Sequence, residues 1–394
     1  MFSGDDDFPE RTDFSLNQPG HYEELDRYVR RLIAESTPEY TVWNVEKCLR
    51  HEASSWNYID GCMITALIAM SEITGSREYF EFAESFIDAF ILEDGSIRTY
   101  QADRHTLDDI NEGRVLFDLY QATGKEKYRK AAEFLRNQLD HQPRTAEGSW
   151  WHKSIYPHQV WLDGLYMAQP FAALYETHFG TGDYSDILHQ FAVVEQHMRD
   201  PKTGLYYHGY DCSRKAFWCD PDTGLSKSFW LRAVGWFSVA LADLIEILPE
   251  GVSDPLKEQF RRLMTDVKAF ADPETGMYYQ VIDHPEIPGN YLETSGSAMI
   301  AYAMMKGARL NVLDAALGDL GAKTFDGIVK TCLSFKEGTL NLENICLVAG
   351  LGPEDNRRRD GTIGYYLSEP VVKNDAKGVA PLLLSYTEIK RRNS

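Results

Sequence analysis

Two short acidic stretches hold the residues best suited to chemistry. In His158-Gln159-Val160-Trp161-Leu162-Asp163-Gly164-Leu165-Tyr166-Met167, the carboxylate Asp163 stands among large apolar side chains with no Lys or Arg beside it. Burial in such a place disfavours the charged form and predicts a raised pKa, the property a carboxyl needs if it is to deliver a proton near neutral pH. Pro170 follows in the same apolar run. Proline suits the first turn of a helix and disrupts its interior, so it predicts that Asp163 lies at or near a helix mouth. An aspartate before an apolar run also reads as an ordinary helix cap, and the stretch alone leaves both readings open. The second stretch, Leu107-Asp108-Asp109-Ile110-Asn111-Glu112-Gly113-Arg114, carries a carboxylate doublet. At the same mouth, a carboxylate of this doublet would share a pocket with Asp163 and raise one pKa by like charge, and pairs of carboxyls are the working parts of sugar-cleaving enzymes. From this stretch alone the stronger reading is that Asp108 or Asp109 is an ordinary N-cap and the other is solvated.

Two more segments bring binding chemistry. Leu205-Tyr206-Tyr207-His208-Gly209-Tyr210-Asp211 supplies His208, and Ser228-Phe229-Trp230-Leu231-Arg232-Ala233-Val234-Gly235-Trp236 supplies Trp230, Arg232 and Trp236. Flat aromatic faces stack on sugar rings, and a guanidinium forks onto a carboxylate. The alternative is that the tryptophans are core and Arg232 pairs with an aspartate. The eleven histidines are scattered without an H-E-x-x-H, and the six cysteines include no C-x-x-C. No metal is therefore expected. Gly350-Leu351-Gly352 has no strand before it and no basic residue after it, so nucleotide binding is not indicated and no cofactor is expected.

The elements that would position these residues must fit a chain of 394 residues, 43% hydrophobic and 25% charged, which is globular composition. A net charge of -20 argues against nucleic acid or an anionic membrane surface as a partner. Neither a signal-peptide pattern nor an apolar run of about 18 residues is found, so a cytoplasmic protein with reduced thiols is expected, monomeric or weakly self-associating. Residues 1–20 read as a polar tail and 21–394 as one domain. Thr74-Gly75-x-x-x-Tyr79 and Thr123-Gly124-x-x-x-Tyr128 each join an apolar segment to an amphipathic one, a helix, a glycine stop and a returning helix. Asp-Pro-x-Thr-Gly recurs at Asp200, Asp220 and Asp272 as turn chemistry. The apolar segments carry an early glycine and the returning ones are amphipathic, so inner helices are wrapped by outer ones. Counting a last, poorly marked pair around Gly378 to Lys390, the pattern predicts an all-α fold, an (α/α)6 barrel of six helical hairpins. The long loops 141–160, 206–229, 277–293 and 336–372 should gather at one mouth, where a rigid scaffold carries function.

The WLDGLYMAQPF stretch at Trp161, LDDINEGR at Leu107, LYYHGYD at Leu205 and the W-x-R-x-x-G-W of Trp230 to Trp236 together resemble the unsaturated rhamnogalacturonyl hydrolases of glycoside hydrolase family 105. The likeness spans roughly residues 55 to 310. It implies hydrolysis of a small oligosaccharide that ends in a 4,5-unsaturated uronic acid, by hydration of its vinyl ether. Asp163 would be the acid and base, Asp108 its electrostatic partner, and Trp161, Met167, His208, Trp230, Arg232 and Trp236 would bind substrate, with no metal or cofactor. Where the family reads R-G-N-G-W, this chain has Arg232-Ala233-Val234-Gly235-Trp236, and the missing amide bears on substrate preference.

Overall fold

The computed structural model describes residues 19–336 and 339–393. The expected tail lies outside these residues except for Pro19 and Gly20, which open the first helix. That helix, α1 (Pro19–Ala34), buries Leu25, Tyr28, Val29 and Leu32. Five hairpins follow: α2 (Tyr58–Thr74) with α3 (Arg77–Phe90), α4 (Leu116–Thr123) with α5 (Glu126–Asp140), α6 (Leu162–His178) with α7 (Ser185–Met198), α8 (Leu231–Ile247) with α9 (Asp254–Val267), and α10 (Thr294–Arg309) with α11 (Ala315–Cys332). The last helix is α12 (Ala376–Asn393).

Packing separates two layers. Going round from α2, the 3-10 lead-in of α4 (Leu107–Val115), then α6, α8, α10 and α12 each pack on the next, and α12 returns to α2. These six inner elements are buried on nearly all sides, whereas α3, α5 and α9 bury one face. Apolar residues all round force burial, and an apolar stripe suffices for an outer helix. Early glycines let the inner helices close up: a Cβ on Gly235 of α8 would lie 3.3 Å from the Cα of Gly296 in α10 and 2.9 Å from Met299 Sδ. The fold is the expected helical barrel with one difference in how it closes. Gly378 to Lys390 is a single inner helix, not a hairpin. The outer position beside it is filled from the other end of the chain by α1, whose Tyr28 hydroxyl donates to Asn374 just before α12 and whose Arg30 pairs with Glu78 of α3.

The turns fix direction. Gly75 and Gly124 end α2 and α4 in the left-handed region (φ 71° and 68°), and the preceding threonine in each accepts from the backbone two residues on. The three Asp-Pro-x-Thr-Gly loops share one geometry. Asp200, Asp220 and Asp272 each accept from the Thr amide and hydroxyl three residues on, and the glycine closes back onto the Asp carbonyl. Because short turns occupy one end, each long loop leads into the N-terminus of an inner helix at the other. Short antiparallel pairs brace that end: β1 (Gln159–Trp161) with β2 (Gly209–Asp211), β3 (Leu333–Lys336) with β4 (Thr339–Leu342), and β5 (Ile345–Cys346) with β6 (Val371–Val372).

Candidate active site

Pairing with β2 holds Trp161 extended (φ -117°, ψ 147°), and the chain turns helical at Leu162, so Asp163 falls in the first turn of α6. Pro170 lies inside α6 and does not open it; the end of β1 sets the start of the helix. Asp163 keeps 8% exposure, and its Oδ2 stands 3.2 Å from Nε2 of His208, a residue with 0% exposure. Neither atom has another partner among the described residues. His208 Nδ1 meets the Tyr366 hydroxyl at 2.8 Å. A proton on Nε2 faces Asp163, and in the imidazolium form Nδ1 donates to the Tyr366 hydroxyl. The rings of Trp161, Trp230 and Tyr366 enclose the imidazole.

This pairing reverses the ionisation expected of Asp163. Burial pushes the carboxyl up, but the charge and hydrogen bond of His208, with His152 behind it, more than offset that and hold it below the usual aspartate range. Nor is Asp108 a bare like charge. Its Oδ2 lies 2.5 Å from Lys153 Nζ and its Oδ1 3.5 Å from His152 Nε2. Burial pulls Lys153 down, yet Asp108 brings it back above the usual lysine value. His152 stacks on Trp161 with centroids 4.4 Å apart, and Trp161 meets His208 edge-on at 5.4 Å, so a chain of ring contacts links the two carboxylates. Burial lowers His152 to about 4, leaving that link neutral at pH 7. Asp109 turns instead toward Arg104, 4.0 Å away, and burial together with Asp108 pushes it up to about 7.

The binding candidates divide. Trp161 and Trp230 each contact His208, the partner of Asp163, and Met167 lies buried one turn further along α6. Trp236 stacks on Tyr166 at 4.4 Å and meets Tyr58 edge-on at 6.4 Å. Arg232 is 1% exposed and lies over Trp230, 4.8 Å from the ring centroid. Its guanidinium donates to the carbonyls of Cys346 and Leu347 and to the Ser295 hydroxyl. Its contacts are thus with protein, and with carbonyls where an aspartate was the alternative. Sequence reasoning passed over His152, Lys153 and Tyr366. The first two sit in the aromatic-rich loop 141–160, and that composition was their only signal; Tyr366 comes from 158 residues beyond His208 and had none.

The profile of Glycosyl Hydrolase Family 88 matches residues 29–393, nearly the whole chain. A solved glycoside hydrolase of family 105 from C. acetobutylicum ATCC 824 shares 41% identity and a TM-score of 0.83, covering 90% of this chain and 99% of that one. The unsaturated rhamnogalacturonyl hydrolase YesR of Bacillus subtilis is 30% identical over 269 residues, 65% of this chain and 72% of that protein. The unsaturated glucuronyl hydrolase of Bacillus sp. GL1, at 16% identity and a TM-score of 0.67 over 94% of this chain and 97% of that one, shares the fold. The protein belongs to the glycoside hydrolases that this Family 88 profile describes and, with its family 105 relative, to family 105. Among the described residues no helix is long and apolar enough to cross a membrane.

Proposed function

We propose that this protein removes the 4,5-unsaturated uronic acid from the non-reducing end of lyase-generated rhamnogalacturonan oligosaccharides by hydrating the vinyl ether. The carrying observation is the pair formed by Asp163 and buried His208 at the first turn of α6, with Asp108 held close by Lys153 and His152. Protonated Asp163 gives its proton to C4, and positive charge develops at C5 with help from the ring oxygen. Water adds at C5 while Asp163, now carboxylate, takes its proton. The resulting hemiketal opens and the remaining sugar leaves. Asp163 therefore ends the cycle protonated, as it began. His208 orients the carboxyl and Asp108 lends negative charge to the developing cation. Trp161, Met167, Trp230 and Trp236 shape the sugar site, and Arg232 supplies positive charge from behind Trp230.

The rhamnogalacturonan preference is supported by the likeness to YesR. Ala233 and Val234, which replace the family's Gly-Asn, are fully buried, so this departure changes helix packing before it changes a sugar contact. The test is incubation with lyase digests of rhamnogalacturonan and of glycosaminoglycan, following the ultraviolet absorbance of the conjugated double bond. Faster loss on rhamnogalacturonan is expected. Preference for the glycosaminoglycan digest would overturn the substrate assignment, and new reducing ends without absorbance loss would overturn the reaction.

A further inference from the structure

A cavity of about 390 Å³ lies outside the carboxylate site, walled by Ile155, Pro157 and Gln159, by Ser213, Lys215 and Phe217, and by Gly352 to Glu354. That volume is in the range of a small-molecule site. Its walls are rigid. Buried Asp211 accepts from the Ser213 amide and hydroxyl and from the amides of Lys215 and Ala216, at 2.7 to 2.9 Å. The Cys212 amide donates to the His158 carbonyl, tying this turn to the opposite wall. His158 and Arg214 stand in the left-handed region (φ 66° and 58°), which residues other than glycine adopt at a cost. Trp161, Trp218, Tyr156 and Leu351 pack behind these walls as a cluster apart from the main core.

Its chemistry is that of a sugar site for an acid. Ile155, 63% exposed, offers an apolar face, and the Phe217 ring carries the Arg357 guanidinium over it at 5.1 Å, while Lys215 and the neighbouring Arg214 have no ion-pair or side-chain hydrogen-bond partner among the described residues. Free cations are unexpected in a chain with 40 basic and 60 acidic residues. The cavity neighbours the reaction site along the chain: Gln159, on its wall, accepts from Trp161 Nε1 at 3.0 Å, and β1 runs from Gln159 straight into the turn carrying Asp163. That path is about 10 Å, so an occupant lies beyond the ring at Asp163.

We infer that this groove binds the remainder of the substrate, an acidic, uronate-containing oligosaccharide on the reducing side of the scissile residue. The inference rests on the function proposed above, so its test separates the two. With the full-length protein, KM is measured for the unsaturated disaccharide and hexasaccharide from lyase-digested rhamnogalacturonan, and binding of the hexasaccharide with its double bond hydrogenated is measured by calorimetry. Wild type should show a KM about tenfold lower for the hexasaccharide. Lys215→Ser, which removes an exposed and unpaired cation, and Phe217→Ser should abolish that advantage while leaving kcat and the disaccharide KM within about twofold. The hydrogenated hexasaccharide should bind wild type and lose affinity with Lys215→Ser, whether or not any unsaturated substrate is turned over. Equal KM values for both lengths in wild type, variants that weaken the disaccharide equally, or no binding of the hydrogenated chain would overturn the groove. Binding without turnover would overturn only the proposed reaction.

Discussion

In the proposed reaction Asp163 must give a proton and then take one, and the first step is hard for a carboxyl whose neighbours favour its anion. A substrate that brings its own carboxylate and expels water from the mouth supplies both influences that raise a carboxyl pKa, like charge and desolvation. The acid form is then produced on binding, and the alkaline limb of kcat/KM, which reports the free enzyme, should lie at lower pH than that of kcat. His208→Asn removes the group that most lowers Asp163, leaving burial dominant, so the kcat/KM limb should move to higher pH. A pH profile that does not move would show that His208 does not set the ionisation of the acid. Asp108→Asn should lower kcat by about 100-fold or more while Asp109→Asn, facing Arg104, leaves it within a few-fold. The reverse ranking in steady-state assays would exchange their roles. The carboxylates and tryptophans were legible because their unusual neighbours are adjacent in sequence. The ionisation was not, because His208 lies 45 residues from Asp163 and only β1–β2 pairing brings them together.

At the scale of the helices, the first turn of α8 is bound to the β5 region by Arg232. Truncating it would leave the Cys346 and Leu347 carbonyls without their donor and open a gap beside Trp230. Arg232→Ala should therefore destabilise the protein by on the order of 3 kcal/mol, read as a lower midpoint in denaturant with unchanged slope. A variant as stable as wild type but with raised KM would show that the guanidinium serves substrate first. The helices themselves were largely readable, since Thr-Gly stops, early glycines and the alternation of all-round with one-sided apolar patterns are local signals. Three features were not. Pro170 sits inside α6 because β1 pairing fixes where the helix begins, the second inner element opens as a 3-10 turn, and the last outer helix comes from the start of the chain. Each depends on contacts between segments far apart in sequence.

The whole barrel is sensitive to pH at both ends. Away from the mouth, burial pushes Asp243 up, but Lys306 and Arg114, at 2.8 and 2.7 Å, outweigh it and hold the carboxyl at about 2. Its folded pKa is depressed, so its contribution is present above the ordinary aspartate value near 3.9 and is lost as pH falls toward 2. Asp109, raised to about 7, has the opposite sign: stability is full below about 4 and declines as pH rises through 7. Thermal midpoints should peak between these limits, and Asp109→Asn should flatten the decline above pH 5; an unchanged decline would exclude Asp109 as its source. The proposed reaction of the whole molecule rests on Asp163, and the most direct measurement follows, in one reaction, the vinyl-ether absorbance and the released saturated sugar for wild type and Asp163→Asn. Wild type should lose absorbance in step with sugar release, and a folded Asp163→Asn should lose at least about 10³-fold in both. Sugar release with the double bond intact, or near-normal turnover in the folded variant, would contradict hydration by Asp163.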